Sequence, residues 1–385
     1  MENGQGRTEP SGAAHFPFSI FHSPSPMRLA LSTGGGDAPG LNAVIRAAVL
    51  TARGRGWEVL GVKRGFAGLL GEDDVISMTS DSVRGIAHLG GTILGTTNRG
   101  NPFKWPRQLE DGTFVEVDRS GEIIVNARQM GIEALIVIGG DGTLTIADQL
   151  ADKGLRVVGV PKTIDNDVAG TVTTFGFDTA VNTALEAIDR LHTTAASHDR
   201  VMVLEVMGRH AGFIALHSGL AGTADVILIP EIPFQLSNVC DKIVARDKAG
   251  RHFSIVVVAE GAVPTGGESS TLGPSLPGQD RRVGGVASRL AYQIQERTGK
   301  ETRPMVLGHL QRGGMPTSYD RLLATRFGGA AVRAVEQQKW GHMVALQSPH
   351  IVTIPIKDAL REPKRVDPSH DLVQTARQIG VSFGD

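Results

Sequence analysis

The chain has 385 residues, 41% hydrophobic and 21% charged, with a formal net charge of −1 and a single cysteine, Cys240. Near-neutrality argues against nucleic acid or an anionic membrane surface as the main partner. No apolar run approaches the roughly 20 residues of a membrane span, and a lone thiol forms no intramolecular disulfide and suits a reducing, cytoplasmic setting.

At a working size of about 150 residues per domain, the length predicts two domains. Residues 1–26 are rich in Gly, Ser, Pro and Ala without a sustained period and read as a disordered extension. Residues 28–32 read as a short buried strand that runs into Thr33-Gly34-Gly35-Gly36-Asp37-Ala38-Pro39-Gly40-Leu41-Asn42. Leu41, Val44, Ile45, Ala48, Val49 and Ala52 then follow at helical spacing, ended by Gly54. Strand, glycine loop and helix place free N–H groups and the positive end of a helix at one point, which suits an anion; a tight turn without a ligand is the plainer reading. Gly35 and Gly36 are the candidates for close approach to phosphate.

Residues 57–63 predict a second strand and 82–89 a short helix. Residues 90–99 predict a glycine-rich strand and turn that ends at Arg99, a cation placed to meet a nucleotide. The apolar run 134–138 leads into Gly139-Gly140-Asp141-Gly142-Thr143 and another helix, a second phosphate cradle now carrying a carboxylate. Asp141 suits Mg²⁺, which takes one or two carboxylates together with phosphate oxygens and water; capping the helix is its alternative role. A third apolar strand, Val157, Val158 and Val160, delivers Pro161-Lys162-Thr163-Ile164-Asp165-Asn166-Asp167 to a strand end, the place where open α/β sheets bind ligands. The plainer reading makes Asn166 and Asp167 caps of the next helix.

Downstream, residues 178–197 predict a long helix and 200–206 a strand ending in Met207-Gly208-Arg209. Residues 210–219 predict a helix; 226–230 and 253–259 predict strands ending at Glu231 and Glu260. Residues 264–282 read as an exposed Pro/Gly/Ser-rich loop, 283–297 as a helix, 303–307 as a strand and 318–335 as a helix. Alternating strands and helices predict parallel sheets covered on both faces.

The ordered set Gly-Gly-Asp-Ala-Pro-Gly-Leu-Asn, Gly-Gly-Asp-Gly-Thr, Pro-Lys-Thr-Ile-Asp-Asn-Asp, Met207-Gly208-Arg209, Pro230-Glu231 and Gly308-His309-Leu310-Gln311-Arg312-Gly313-Gly314 resembles the 6-phosphofructokinase family over residues 27–345. The resemblance implies two doubly wound parallel-sheet α/β domains with the active site in the cleft between them. Residues 27–176 with 311–361 would hold the phosphoryl donor, and 177–310 with 362–385 the sugar phosphate. It implies phosphoryl transfer from ATP to the C1 hydroxyl of fructose 6-phosphate in glycolysis, with Mg²⁺ at Asp141.

Such a transfer needs positioning, charge neutralisation and a base. Asp165 is the expected base, with Asp167 orienting the site, and Lys162, Thr163 and Arg209 meeting the transferring group. Gly35, Gly36, Arg99, Gly140, Asp141, Gly142 and Thr143 would hold the donor. Thr163, Ile164, Asp165, Met207, Gly208, Arg209, Glu231, His309, Leu310, Gln311 and Arg312 would hold the sugar phosphate. Arg200 and Arg303 resemble arginines supplied by a neighbouring subunit, implying a homodimer or homotetramer. From residue type alone, Arg200 and Arg303 read equally as surface arginines, His309 as a strand-end histidine and Glu231 as a helix-terminal carboxylate.

Glycine at the position of Gly142 goes with ATP in the family, and aspartate there with pyrophosphate. A carboxylate about 4 Å from a phosphate costs on the order of 4 kcal/mol at an effective dielectric near 20. Lys162, by contrast, is typical of pyrophosphate users, so pyrophosphate stays as an alternative donor. Relatives governed by nucleotide effectors carry a second arginine one helical turn after Arg46, where this chain has Leu50. Two remoter readings are another Gly-Gly-Asp-Gly-Thr phosphotransferase, such as an NAD or lipid kinase, and a silent binding protein on the same scaffold.

Overall fold

The computed structural model describes residues 26–71, 73–97, 100–271, 273 and 283–385. All but the last residue of the extension read at 1–26, Arg99, and most of the second half of the 264–282 loop lie outside the described residues. β1 (Arg28–Thr33) enters α1 (Leu41–Arg53) through the first glycine turn, and β2 (Glu58–Val62) and β3 (Val75–Ser77) follow. A hairpin of β4 (Trp105–Gln108) and β5 (Phe114–Val117) precedes α2 (Ser120–Gln129), β6 (Ala134–Gly139), α3 (Asp141–Asp152) and β7 (Val157–Pro161). Next come α4 (Phe177–His198), β8 (Val201–Val206), α5 (Phe213–Ala221), β9 (Val226–Leu228), α6 (Leu236–Lys248), β10 (Ser254–Ala259), α7 (Val286–Thr298) and β11 (Thr302–Val306). The chain closes with α8 (Ser318–Glu336), β12 (His342–Gln347), β13 (His350–Pro355), α9 (Ile356–Ala359) and α10 (Asp371–Gln378).

The strands form two separate sheets besides the hairpin: a seven-stranded one in the order β13-β12-β7-β6-β1-β2-β3, and a four-stranded one in the order β11-β8-β10-β9. All pairings in the smaller sheet are parallel. The larger sheet is parallel from β12 to β2 and gains antiparallel edge strands, β3 and β13.

Strands buried on both faces need apolar residues in both phases of their two-residue period. Accordingly Leu29 and Leu31 of β1 pack with Val44, Ile45 and Phe327 on the α1/α8 face, while Ala30 packs with Leu135, Val137 and Leu150 on the other. The smaller sheet is likewise sandwiched, with α4, α5 and α10 on one face and α6 and α7 on the other.

Four local expectations fail. Residues 82–89 form turns, because Gly85 takes φ 74° and ends any helical run. No strand forms at 90–97; Asn42 of α1 holds that loop instead, donating to the Leu89 and Gly90 carbonyls and accepting from Ile93 N–H at 2.9 Å. The helix expected from residue 210 begins at Phe213, leaving 207–212 as a loop. Asn166 and Asp167 cap no helix either, since α4 starts only at Phe177 behind Gly176.

Candidate active site

In the larger sheet the chain runs outward one way from β1 to β2 and the other way from β6 to β7, so β1 and β6, which are neighbours, flank a topological switch point. Ligands of open α/β sheets bind beyond the carboxyl ends of strands at such a point. The two glycine turns meet there. Gly34 N–H donates to the Ile138 carbonyl at 2.9 Å, and a Cβ on Gly34 would lie 2.7 Å from Thr143 Cγ2. A Cβ on Gly35 would lie 3.5 Å from Lys162 Nζ, and one on Gly36 2.8 Å from Arg312 Nη1. Thus Gly35, Gly36, Thr143, Lys162 and Arg312 converge.

Gly140 precedes α3, and Asp141 is its first residue, so Asp141 sits at the positive end of that helix rather than capping it. Around Gly142 nothing lies within 4 Å of a would-be Cβ. Thr97, whose carbonyl accepts from Gly35 N–H at 3.2 Å, also lines a hollow of about 330 Å³ together with Arg64, Asp73 and Trp105.

The loop after β7 carries the densest charge. Lys162 is 3% and Asp165 4% exposed. Lys162 Nζ donates to the Gly36 carbonyl, tying this loop to the first turn. Burial, then the neighbouring Arg312, pulls the Lys162 ammonium down to about 8, against the pull of Asp165, Asp37 and Asp167. Burial pushes the Asp165 carboxyl up, opposed first by the Arg312 and Arg209 guanidiniums. Asp167 is pushed up to about 6 by burial and by the charges of Asp165 and Asp141. One oxygen of Asp165 and one of Asp167 are buried without a hydrogen-bond partner. Thr163 Oγ1 accepts from Asp165 N–H at 3.1 Å, while Ile164 turns wholly into the core beneath the smaller sheet.

From the smaller sheet, β8 delivers Met207, Gly208 and Arg209. Arg209 takes φ 50° and Gly208 φ 143°, a strained turn held by the Glu260 carboxylate, which accepts from Arg209 N–H at 3.0 Å. A Cβ on Gly261 would lie 1.8 Å from the Arg209 carbonyl oxygen, so only glycine fits there. Glu260, at the end of β10, is the residue that sequence reading passed over; its signal was a carboxylate at a strand end beside Met-Gly-Arg.

Glu231, chosen instead, has its carboxylate engaged by the N–H groups of Gly212 at 3.0 Å and Val366 at 2.9 Å. Gln311 is fully buried and ties elements together, accepting from Met207 N–H at 2.8 Å and donating to the Ala180 carbonyl at 3.4 Å. His309 and Leu310 are exposed on the same turn.

Arg200 and Arg303 lie elsewhere. Both stand at the amino ends of β8 and β11 and pair with Glu301, whereas Met207–Arg209 follow the carboxyl end of β8. Six residues of strand at roughly 3.3 Å each separate the two ends by about 20 Å.

Residues 28–335 match the sequence model of the family described as Phosphofructokinase. The chain belongs to the phosphofructokinase family. A protein of Chloroflexus aurantiacus named ATP-dependent 6-phosphofructokinase is 54% identical over 358 residues, covering 93% of this phosphofructokinase and 98% of its relative. One of Streptomyces coelicolor named pyrophosphate–fructose 6-phosphate 1-phosphotransferase is 50% identical over 361 residues, 93% and 100% of the two chains. The solved phosphofructokinase of Saccharomyces cerevisiae superposes with a TM-score of 0.73 at 31% identity over 87% of this chain, which spans about half that longer chain (45%).

Proposed function

We propose that this phosphofructokinase transfers the terminal phosphoryl group of ATP to the C1 hydroxyl of fructose 6-phosphate, giving fructose 1,6-bisphosphate, with Asp165 as general base. The observation that carries this is Asp165 itself: a buried carboxylate with a bare oxygen, at the junction of the two sheets' loops, faced by Arg312, Arg209 and Lys162. Burial raises its proton affinity and the three cations keep it ionisable, the balance a base needs. Lys162 and Arg209 would meet the charge of the transferring group, and the N–H groups of the two glycine turns the donor phosphates.

Among the described residues no group of three or more His, Cys, Asp or Glu side chains is arranged to hold a metal. The fit for Mg²⁺ is therefore a shared one, with Asp141 and the bare Asp167 oxygen as protein ligands and phosphate oxygens completing the shell. When bound, Mg²⁺ would neutralise phosphate charge. We assign the donor to residues 27–176 with 311–361 and the sugar phosphate to 177–310 with 362–385, supported by the two separate sheets. Because Arg200 and Arg303 stand at the far end of their sheet, we assign them to the sugar-phosphate site of a second copy.

ATP as donor is supported by the open space at Gly142 and by the hollow lined by Thr97, the residue bonded to Gly35, large enough for a small-molecule group, since such pockets run upward from roughly 300 Å³. Lys162 supports pyrophosphate as the second reading.

The test is an assay with fructose 6-phosphate and Mg²⁺. A larger kcat/KM with ATP is expected; a larger one with pyrophosphate reverses the donor. Asp165→Asn is expected to lower kcat by about 10²–10⁴ with the sugar KM little changed, and undiminished turnover rejects the base. Gly142→Asp is expected to raise the KM for ATP selectively.

A further inference from the structure

Lys364 lies beyond the residues matched by the family's sequence model, on the segment between α9 and α10, and it is bonded at four points to the loop that carries Asp165. Its N–H donates to the Asp167 carbonyl at 2.8 Å. Its ammonium donates to Asn166 Oδ1 at 3.2 Å and to the carbonyls of Thr171 and Val172 at 3.3 and 2.6 Å, which uses all three of its protons. The same ammonium stands 5.1 Å from the ring centroid of Phe213 on α5.

The loop it holds is irregular backbone tied by threonine side chains and by β12, with Thr174 Oγ1 donating to the Thr163 carbonyl at 2.7 Å and Val172 N–H to the Leu346 carbonyl at 2.8 Å. Residues 162–176 form neither helix nor ladder strand. At its centre, between Asp165 and Asp167, Asn166 takes φ 56°, a left-handed turn. The Asn166 side chain fixes that turn by accepting from Thr174 N–H at 3.2 Å and from Lys364. Two residues past Lys364, Val366 N–H binds Glu231, whose carboxylate also holds Gly212 after the Met-Gly-Arg turn. One C-terminal segment thereby grips both walls of the cleft. The half-buried Lys364 ammonium gives all three protons to neutral oxygens of this loop, charge-assisted bonds that hold it more firmly than a neutral donor would.

We propose that Lys364 is a positioning residue for phosphoryl transfer, holding Asn166 in its left-handed turn so that the Asp165 and Asp167 carboxylates face the cleft. The proposal rests on Asp165 being the base. Misplacing a reacting group by about 1 Å costs on the order of a hundredfold in rate, so a loosened loop lowers kcat more than it weakens binding.

Lys364→Met keeps the aliphatic stem on Phe213 and removes the three donors. The full-length enzyme carrying it is expected to lose about tenfold to a hundredfold in kcat, with both KM values within about threefold and a near-native thermal midpoint. Combined with Asn166→Ala, the loss is expected not to exceed that of the worse single variant, because both act through one turn. A kcat within about twofold of the parent, or losses that multiply in the double variant, overturns the proposal. If Lys364→Met does not fold, Lys364→Gln is read by the same criteria. Asp165→Asn assayed alongside separates the two readings. Full turnover there overturns the base, whereas an inactive Asp165→Asn beside an undiminished Lys364→Met overturns only the role of Lys364.

Discussion

Lys162 and the Asp165–Asp167 pair define the pH range in which the site holds its working charges. The ammonium, lowered to about 8, is lost as pH rises through that value; the pair, with Asp167 at about 6, loses its full charge as pH falls through it. Because kcat/KM reports the free enzyme, its pH profile is expected to be a bell with limbs near 6 and 8, the acid limb belonging to the pair rather than to one residue. Lys162→Arg, charged throughout, should abolish the alkaline limb.

The same shifts cost stability. A carboxyl raised above its unfolded value makes the fold less stable as pH rises through the interval between the two. A lysine lowered below 10.5 makes the fold less stable as pH falls from 10.5 through 8. Lys162→Met is therefore expected to raise the stability of the unliganded protein at pH 7, on the order of 1–3 kcal/mol, while removing most activity; calorimetry checks the first and the assay the second. At this scale the sequence revealed residue types but not directions. Asp165 and Lys162 were legible because both sit in one motif, whereas the choice of Glu231 over Glu260 turned on which carboxylate reaches the Arg209 turn.

Elements were legible mostly where burial is two-sided, although β12, buried on both faces, went unread. The apolar runs of β1, β6 and β7 carry no alternation because helices cover both faces, and each was read from that signature. α6 escaped notice because only Val239, Cys240 and Ile243 are buried along it, a stripe too narrow to stand out.

The contact between α1 and α8 shows what periodicity leaves out. A Cβ on Gly328 of α8 would lie 2.4 Å from the Val44 carbonyl oxygen and 2.8 Å from Ala47 Cβ, so the two helices meet backbone to backbone. Gly328→Ala is expected to destabilise by about 1–3 kcal/mol, read as a fall in denaturation midpoint. Gly121 of α2, with nothing within 4 Å, offers the opposite case. Gly121→Ala is expected to stabilise by roughly 0.5–1 kcal/mol, since there helix propensity acts alone.

For the whole molecule the decisive feature is that one cleft is assembled from two sheets and, on our reading, from two copies of the chain. The test is complementation. Arg303→Ala and Asp165→Ala proteins, each inactive, are expected to recover up to about a quarter of parental activity when unfolded together and reassembled, since a mixed pair rebuilds one intact site. No recovery would place Arg303 in its own subunit's site.

The sequence by itself determined the kind of elements, the two glycine turns and the charged loop after β7, because these rest on local rules: burial in both phases, glycine where strand turns into helix, carboxylates at strand ends. Only the tertiary structure decided that Arg312 stands against Gly36, that Glu260 holds the Arg209 turn, and that Lys364 reaches the Asp165 loop from nearly 200 residues away (198 from Asn166). Those contacts join segments distant along the chain, and no spacing or period within one segment encodes which distant group will arrive.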